Sequence, residues 1–119
     1  MRFASLGSGS RGNGSIVASQ TTIVLVDCGF VYKEAFARLK RLGLDPEDLD
    51  GILVTHEHSD HVSGVEVLAN KHSIPVYASR GTWIEIGIDR FNKPFYIRDL
   101  FSIGDIDISP VTVPHDARE

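Results

Sequence analysis

The chain has one cysteine, Cys28, in 119 residues. No intramolecular disulfide can form, and a cross-linked secreted scaffold is excluded; a reducing, cytoplasmic setting is the expectation. No apolar run approaches the roughly 20 residues that cross a bilayer, the stretch Ile23-Val24-Leu25-Val26 being typical. Met1-Arg2-Phe3-Ala4-Ser5-Leu6-Gly7 carries no apolar stretch ahead of its glycines, which argues against a signal peptide. Positive charge is also scarce. Twelve Lys+Arg face 16 Asp+Glu, for a net charge of −4, so the global basic footprint of a non-specific nucleic-acid binder is missing. Nucleic acid would have to be held locally. Internal repeats and low-complexity linkers are absent as well. What remains, 42% hydrophobic and 24% charged, is the composition of one soluble domain.

The pattern alternates strands and helices. A strand over residues 2–6 leads into Gly7-Ser8-Gly9-Ser10-Arg11-Gly12-Asn13-Gly14-Ser15, which has no core-forming side chain and reads as a loop. Two β-branched runs, Ile16-Val17-Ala18-Ser19 and Thr22-Ile23-Val24-Leu25-Val26-Asp27, flank Gln20-Thr21 and predict a hairpin. The second run is apolar on both faces and should be buried on both. Val31, Ala35, Leu39 and Leu42 recur at helical spacing, with Lys33, Glu34, Arg38, Lys40 and Arg41 toward solvent. Gly43 supplies a C-terminal cap, and Asp45-Pro46-Glu47-Asp48 a capped single turn. A strand follows at Gly51-Ile52-Leu53-Val54-Thr55. After it, Val65, Leu68, Ala69 and His72 share a helical face. Further expectations are a strand over 74–78, a short helix over 81–86, and strands over 95–97 and 106–113, the last interrupted by Pro110. The fold class is α/β with a layered sheet.

The chemistry concentrates in Thr55-His56-Glu57-His58-Ser59-Asp60-His61, which holds three of the five histidines. At an extended strand end His56 and His58 point the same way, because side chains alternate with period two, so both can bind one metal. Asp60 and His61 lie past the turn into the helix and approach from another direction, suited to a second ion. Imidazole nitrogen with carboxylate oxygen suits zinc, iron or manganese. A solvated loop with incidental histidines is the bland alternative; alternating histidines beside Asp-His directly after a buried strand make it the weaker one. Glu57 and Ser59 fall between ligands.

This segment resembles the His-x-His-x-Asp-His signature of the metallo-β-lactamase superfamily, and the similarity runs along the whole chain. The resemblance implies an αββα sandwich in which residues 1–119 are the N-terminal part of a single domain: one αβ half and the start of the second. It implies that Asp27, closing Val24-Leu25-Val26-Asp27, supports the metal site, and that His115 in Val113-Pro114-His115-Asp116 is a further ligand. The implied set is His56, His58 and His115 around one divalent ion and Asp60 and His61 on the other, with Asp27 orienting a ligand from behind. Gly7-Ser8-Gly9-Ser10-Arg11-Gly12-Asn13, Val26-Asp27-Cys28-Gly29 and the tail Pro114-His115-Asp116-Ala117-Arg118-Glu119 most resemble the bacterial WalJ/YycJ-type exonucleases. A hydrolase of phosphodiesters in DNA is thereby implied, with two ions activating a water and Asp60 steering it. Thioesterases, lactonases and ribonucleases share the fold and remain alternatives. The family's remaining ligands, a bridging Asp and a final His, fall downstream of Glu119, so a non-catalytic metal-binding fragment is a third reading. An incomplete half would expose an apolar face and self-associate.

Other motifs carry less. Gly7-Ser8-Gly9-Ser10-Arg11-Gly12 satisfies G-x-G-x-x-G, but no helix pattern opens after it, which excludes a dinucleotide site; the loop is either a plain turn or a backbone cradle for a substrate phosphate. Cys28 reads as a packed thiol. His72 reads as structural. Trp83, Phe91, Phe95, Tyr96 and Phe101 are core or rim aromatics, with base stacking as the functional alternative. Lys33, Arg38, Lys40 and Arg41 form a solvated basic face.

Overall fold

The apolar runs assemble into one sheet of six strands, β1 (Arg2–Gly7), β2 (Gly14–Ala18), β3 (Ile23–Cys28), β4 (Gly51–Val54), β5 (Val76–Ala78) and β6 (Pro94–Tyr96), lying in that order. The computed structural model describes residues 1–7, 14–55, 62–97 and 101–108. β1, β2 and β3 pair antiparallel, and β3 to β6 pair parallel. The expected hairpin closes as Ser19 N–H bonds the Thr22 carbonyl at 2.9 Å, with Ser19 Oγ accepting from the amides of Thr21 and Thr22. The parallel strands are linked through α1 (Tyr32–Arg41), α2 (Val62–His72) and α3 (Arg80–Ile86).

Local chemistry sets the helix ends. Gly43 has φ +78°, and its N–H bonds the Lys40 carbonyl while that of Leu44 bonds the Leu39 carbonyl, a Schellman closure that uses a left-handed glycine. Asp45 and Asp48 cap each other across the turn Pro46–Asp48. Ser79 caps α3 by accepting from Thr82 N–H at 3.2 Å. Ala35 and Leu39 are the buried residues of α1. Val31 and Leu42, expected on the same face, are instead its caps and are 50% and 40% exposed, because a 10-residue helix ends before the stripe does.

One face of the sheet packs on the helices: Ile16, Ala18, Leu25, Ile52, Val54, Val76 and Ala78 join Leu39, Leu68 and Trp83. Leu39 and Leu68 are fully buried, and each contributes roughly 1.5–3 kcal/mol relative to exposure. The other face meets a hairpin of β7 (Phe101–Ile103) and β8 (Ile106–Ile108), whose Ile103 and Ile106 bury Val24. β7 was not expected from the sequence; β8 opens the strand predicted over 106–113, of which 109–113 lie outside the described residues. The hairpin is fastened to the β2–β3 turn. Gly104 sits at φ +58° where any methyl would collide with the Thr22 side chain, Asp105 N–H donates to Thr22 Oγ1 at 3.2 Å, and Ser19 Oγ donates to Asp105 Oδ1 at 2.5 Å. Val26, Leu53 and Tyr77 of the adjoining cross-strand row pack, partly buried, against the same cluster, Tyr77 on Phe101, while Phe95 at the end of the row is exposed. The arrangement is a mixed α/β fold, a six-stranded sheet with helices on one face and a two-stranded hairpin on the other. Among the described residues no helix is long and apolar enough to cross a membrane.

Candidate functional site

Open sheets with parallel strands present their sites at the carboxyl ends of those strands. Here that edge is formed by β3 and β4. Gly14 pairs with Cys28 and Ser15 with Val26, which leaves Asp27 as the extra residue of a bulge, at φ +59°. Asp tolerates this left-handed conformation better than most side chains, and a bulge re-aims the residue it holds. The carboxylate thereby leaves the in-out alternation of β3 and reaches the end of β4. Oδ1 accepts the Thr55 N–H at 2.7 Å and Oδ2 the Thr55 hydroxyl at 2.5 Å. Thr55 immediately precedes His56. A second bulge lies at the same level on β1: Ser5 faces Ser15 and Gly7 faces Gly14, so Leu6 has no opposite number.

The helix that follows the histidine segment in the chain is closely packed as well. α2 begins directly after His61, and in its first turn Gly64 lies so close to the loop after β3 that a methyl would overlap the Phe30 carbonyl oxygen and lie 3.1 Å from Val31 Cα. The described residues that flank positions 56–61 in the chain are thus Thr55, tied to Asp27, and a helix start packed on Phe30. His56, His58, Asp60, His61 and His115 themselves lie outside the described residues, as do residues 8–13 of the glycine-rich stretch. Asp27 is the one sequence-predicted site residue inside them, and its contacts there include Thr55. Among the described residues no three His, Cys, Asp or Glu side chains converge on a metal position. The donor chemistry of the 56–61 segment, three imidazoles and a carboxylate beside a carboxylate-anchored strand end, fits divalent ions.

Thr55 and Gly64 were not singled out by pattern reasoning. Adjacency to the motif was the available signal for Thr55, and a glycine inside a helical stripe, which marks close packing, was the signal for Gly64.

Other candidates resolve as packing. Cys28 is buried, its Sγ 3.7 Å from the Phe30 carbonyl, and burial pushes its thiol above the ordinary range, the opposite of nucleophile activation. His72 bridges Glu47 Oε2 at 2.7 Å through Nδ1 and Tyr32 Oη at 3.0 Å through Nε2, a structural role. The carboxylate can only accept, so Nδ1 donates to it. Trp83 and Phe91 are buried edge-to-face, with Trp83 Nε1 donating to the Phe95 carbonyl at 2.8 Å. Phe95 and Tyr96 are rim residues, and Phe101 packs on Tyr77. The basic face of α1 is not uniformly solvated. Lys40 pairs with Asp45, and Arg38 is held by Glu34, the Leu6 carbonyl and the Phe30 ring.

Comparison with known proteins agrees with this geometry. The family model described as the metallo-beta-lactamase superfamily matches residues 7–116. The chain is 41% identical over 125 residues to Exodeoxyribonuclease YycJ of Bacillus anthracis, covering 100% of this chain and 47% of that protein. It is 39% identical over 124 residues to Exodeoxyribonuclease WalJ of Streptococcus pneumoniae, covering 98% of this chain and 46% of that one. The solved structure of Rm3 metallo-beta-lactamase superimposes with a TM-score of 0.71 at 24% identity, over 90% of this chain and 47% of that one; this likeness speaks to the fold. The chain spans about half the length of the relatives it matches. On the match of the family model to residues 7–116 and the identity to these relatives along the whole chain, the chain belongs to the metallo-β-lactamase superfamily.

Proposed function

We propose that this chain carries the N-terminal part of a metal-dependent hydrolase of DNA phosphodiester bonds, an exonuclease in character. The observation that carries the reading is Asp27, turned out of β3 by a bulge and bonded through both oxygens to Thr55, the residue that opens His56-Glu57-His58-Ser59-Asp60-His61. In this reading His56, His58 and His115 hold one divalent ion, zinc or else manganese or iron, and Asp60 and His61 hold a second. Two such ions supply Lewis acidity, lowering the pKa of water toward neutrality and neutralising phosphate oxygens. Asp60 also orients the attacking water, and Asp27 fixes the strand end from which the ligands project. The names of the two relatives support a DNA substrate, and the single buried cysteine supports a cytoplasmic setting.

The span of half a relative supports a second reading, a metal-binding fragment that does not turn over by itself. The exposed rings of Phe95 and Tyr96 on β6, at the edge of the sheet, support self-association of the chain in either case. A thioesterase, lactonase or ribonuclease activity would use the same donors and is separated by substrate profile. The test is metal content of the chain purified without chelator, measured by inductively coupled plasma mass spectrometry, beside an exonuclease assay with added manganese. About two ions per chain with DNA degradation upholds the enzyme reading; metal without degradation favours the fragment; no metal refutes both. Sedimentation as a clean monomer would refute self-association.

A further inference from the structure

The β1 bulge leaves the Leu6 carbonyl with no opposite residue on β2, and a residue of α1 takes it up. Arg38 Nη1 donates to that oxygen at 2.5 Å, Nε donates to Glu34 Oε2 at 2.7 Å, and the guanidinium carbon lies 4.4 Å from the centre of the Phe30 ring. Gly7, at φ +147°, leaves the room: a methyl there would strike Nη1 and stand 3.1 Å from the Phe30 ring. Leu6 in turn packs on Gly14, whose absent Cβ would be 3.3 Å from Leu6 Cδ1 and 3.1 Å from the Asp27 carbonyl oxygen. A contiguous line therefore runs from Arg38 through Leu6 and Gly14 to Asp27, across β1, β2 and β3, and ends at Thr55.

We propose that Arg38 is a positioning residue for the candidate site: its guanidinium pins the β1 bulge and, through Leu6 and Gly14, holds the β3 bulge that brings the Asp27 carboxylate to Thr55. The link from Thr55 onward to metal ligands rests on the function proposed above; the clamp itself does not. A planar fork is required, because one group must stack on a ring, reach a backbone carbonyl and meet a carboxylate together, which a lysine ammonium cannot do. Coupling between sites is carried by contiguous chains of packed side chains and hydrogen bonds of this kind.

The test is amide hydrogen exchange by NMR on the 119-residue chain and its Arg38→Met and Arg38→Lys variants. The Thr55 amide, bonded to Asp27 Oδ1 at 2.7 Å, should exchange at least about tenfold faster in Arg38→Met, with Arg38→Lys between it and the unaltered chain. The amides of Ile52 and Val76, bonded to the carbonyls of Pro75 and Lys93 at 2.9 Å, should stay within about twofold, which a loss of general stability would not allow. Unchanged Thr55 exchange, or parallel acceleration of all three amides, overturns the proposal. Zinc titration of the same samples keeps the two ideas apart: a chain that takes up no zinc yet shows the Thr55 response removes the metal-site reading and leaves the clamp standing.

Discussion

Gly64→Ala sets two sizeable effects against each other. In a helix, alanine is favoured over glycine by up to about 1 kcal/mol, less in a first turn, so a free surface position would gain stability. Here the methyl meets the Phe30 carbonyl oxygen and the Val31 Cα. The obstacle is backbone, which cannot rotate aside, so the overpacking cost belongs in the upper part of the usual range of about 1–3 kcal/mol. The net expectation is a loss of about 1–2 kcal/mol. For a chain of this size that lowers the melting temperature by roughly 3–8 °C. Urea unfolding followed by circular dichroism measures it, with an unchanged slope showing that the unfolded state is not the cause. Because relief comes most easily by moving the start of α2 away from β3, zinc affinity should fall by at least about tenfold. A Gly64→Ala protein as stable as the parent or more so would refute the packing argument, and full stability loss with unaltered affinity would refute its connection to the 56–61 segment.

Three further outcomes are expected. Asp27→Ala should cost about 2–3 kcal/mol, losing both bonds to Thr55 and leaving alanine at positive φ, while Asp27→Asn, which keeps an acceptor and tolerates the conformation, should cost about half as much; urea unfolding gives both. The bond from His72 holds the exposed Glu47 carboxylate below its ordinary value of 4.5, so its contribution is complete above that value and is lost as pH falls through the lower folded one. Melting temperatures measured from about pH 6 downward should accordingly fall more in the parent than in Glu47→Gln, and parallel curves would count against the pair. Cys28, buried with a raised thiol pKa, should react with a disulfide reagent at neutral pH at least about 100-fold more slowly in the native chain than in urea; rapid native labelling would contradict its packing.

Periodicity made most of this architecture readable. Leu25 and Ile52 announce buried strands because apolar residues continue on both faces, and Val65, Leu68 and Ala69 announce α2 because they repeat on one side of a helix. Gly43 and Asp45-Pro46 mark ends because few other residues suit those backbone angles. The bulges were not readable. Nothing in Ser5-Leu6-Gly7 or Val26-Asp27-Cys28 says that one residue will lack an opposite number, since register belongs to the pairing of strands and not to either strand alone. For the same reason Arg38 looked like one of several surface cations; its role depends on a carbonyl 32 residues away that the bulge leaves over. The histidine segment could be recognised from residue types at fixed spacing. The contacts of Thr55 and Gly64 on either side of it are a matter of which strand and loop lie alongside.

The clasp between the β2–β3 turn and the β7–β8 hairpin also orders events in time. Ser19 and Asp105 are bonded across 86 positions of sequence, a separation whose closure entropy must be met before the contact returns anything. During synthesis the strands up to β6 can pair and take on their helices first, while one side of Val24 stays bare until Asp105 has emerged. From Tyr96, which ends β6, to Asp105 is nine residues, about half a second to two seconds of synthesis at roughly 5–20 residues per second, still far longer than a hairpin or a helix needs to form. The nascent sheet therefore passes through a stage with one layer finished and its opposite surface open, and it is during that stage that a chaperone or a neighbouring nascent chain would meet it.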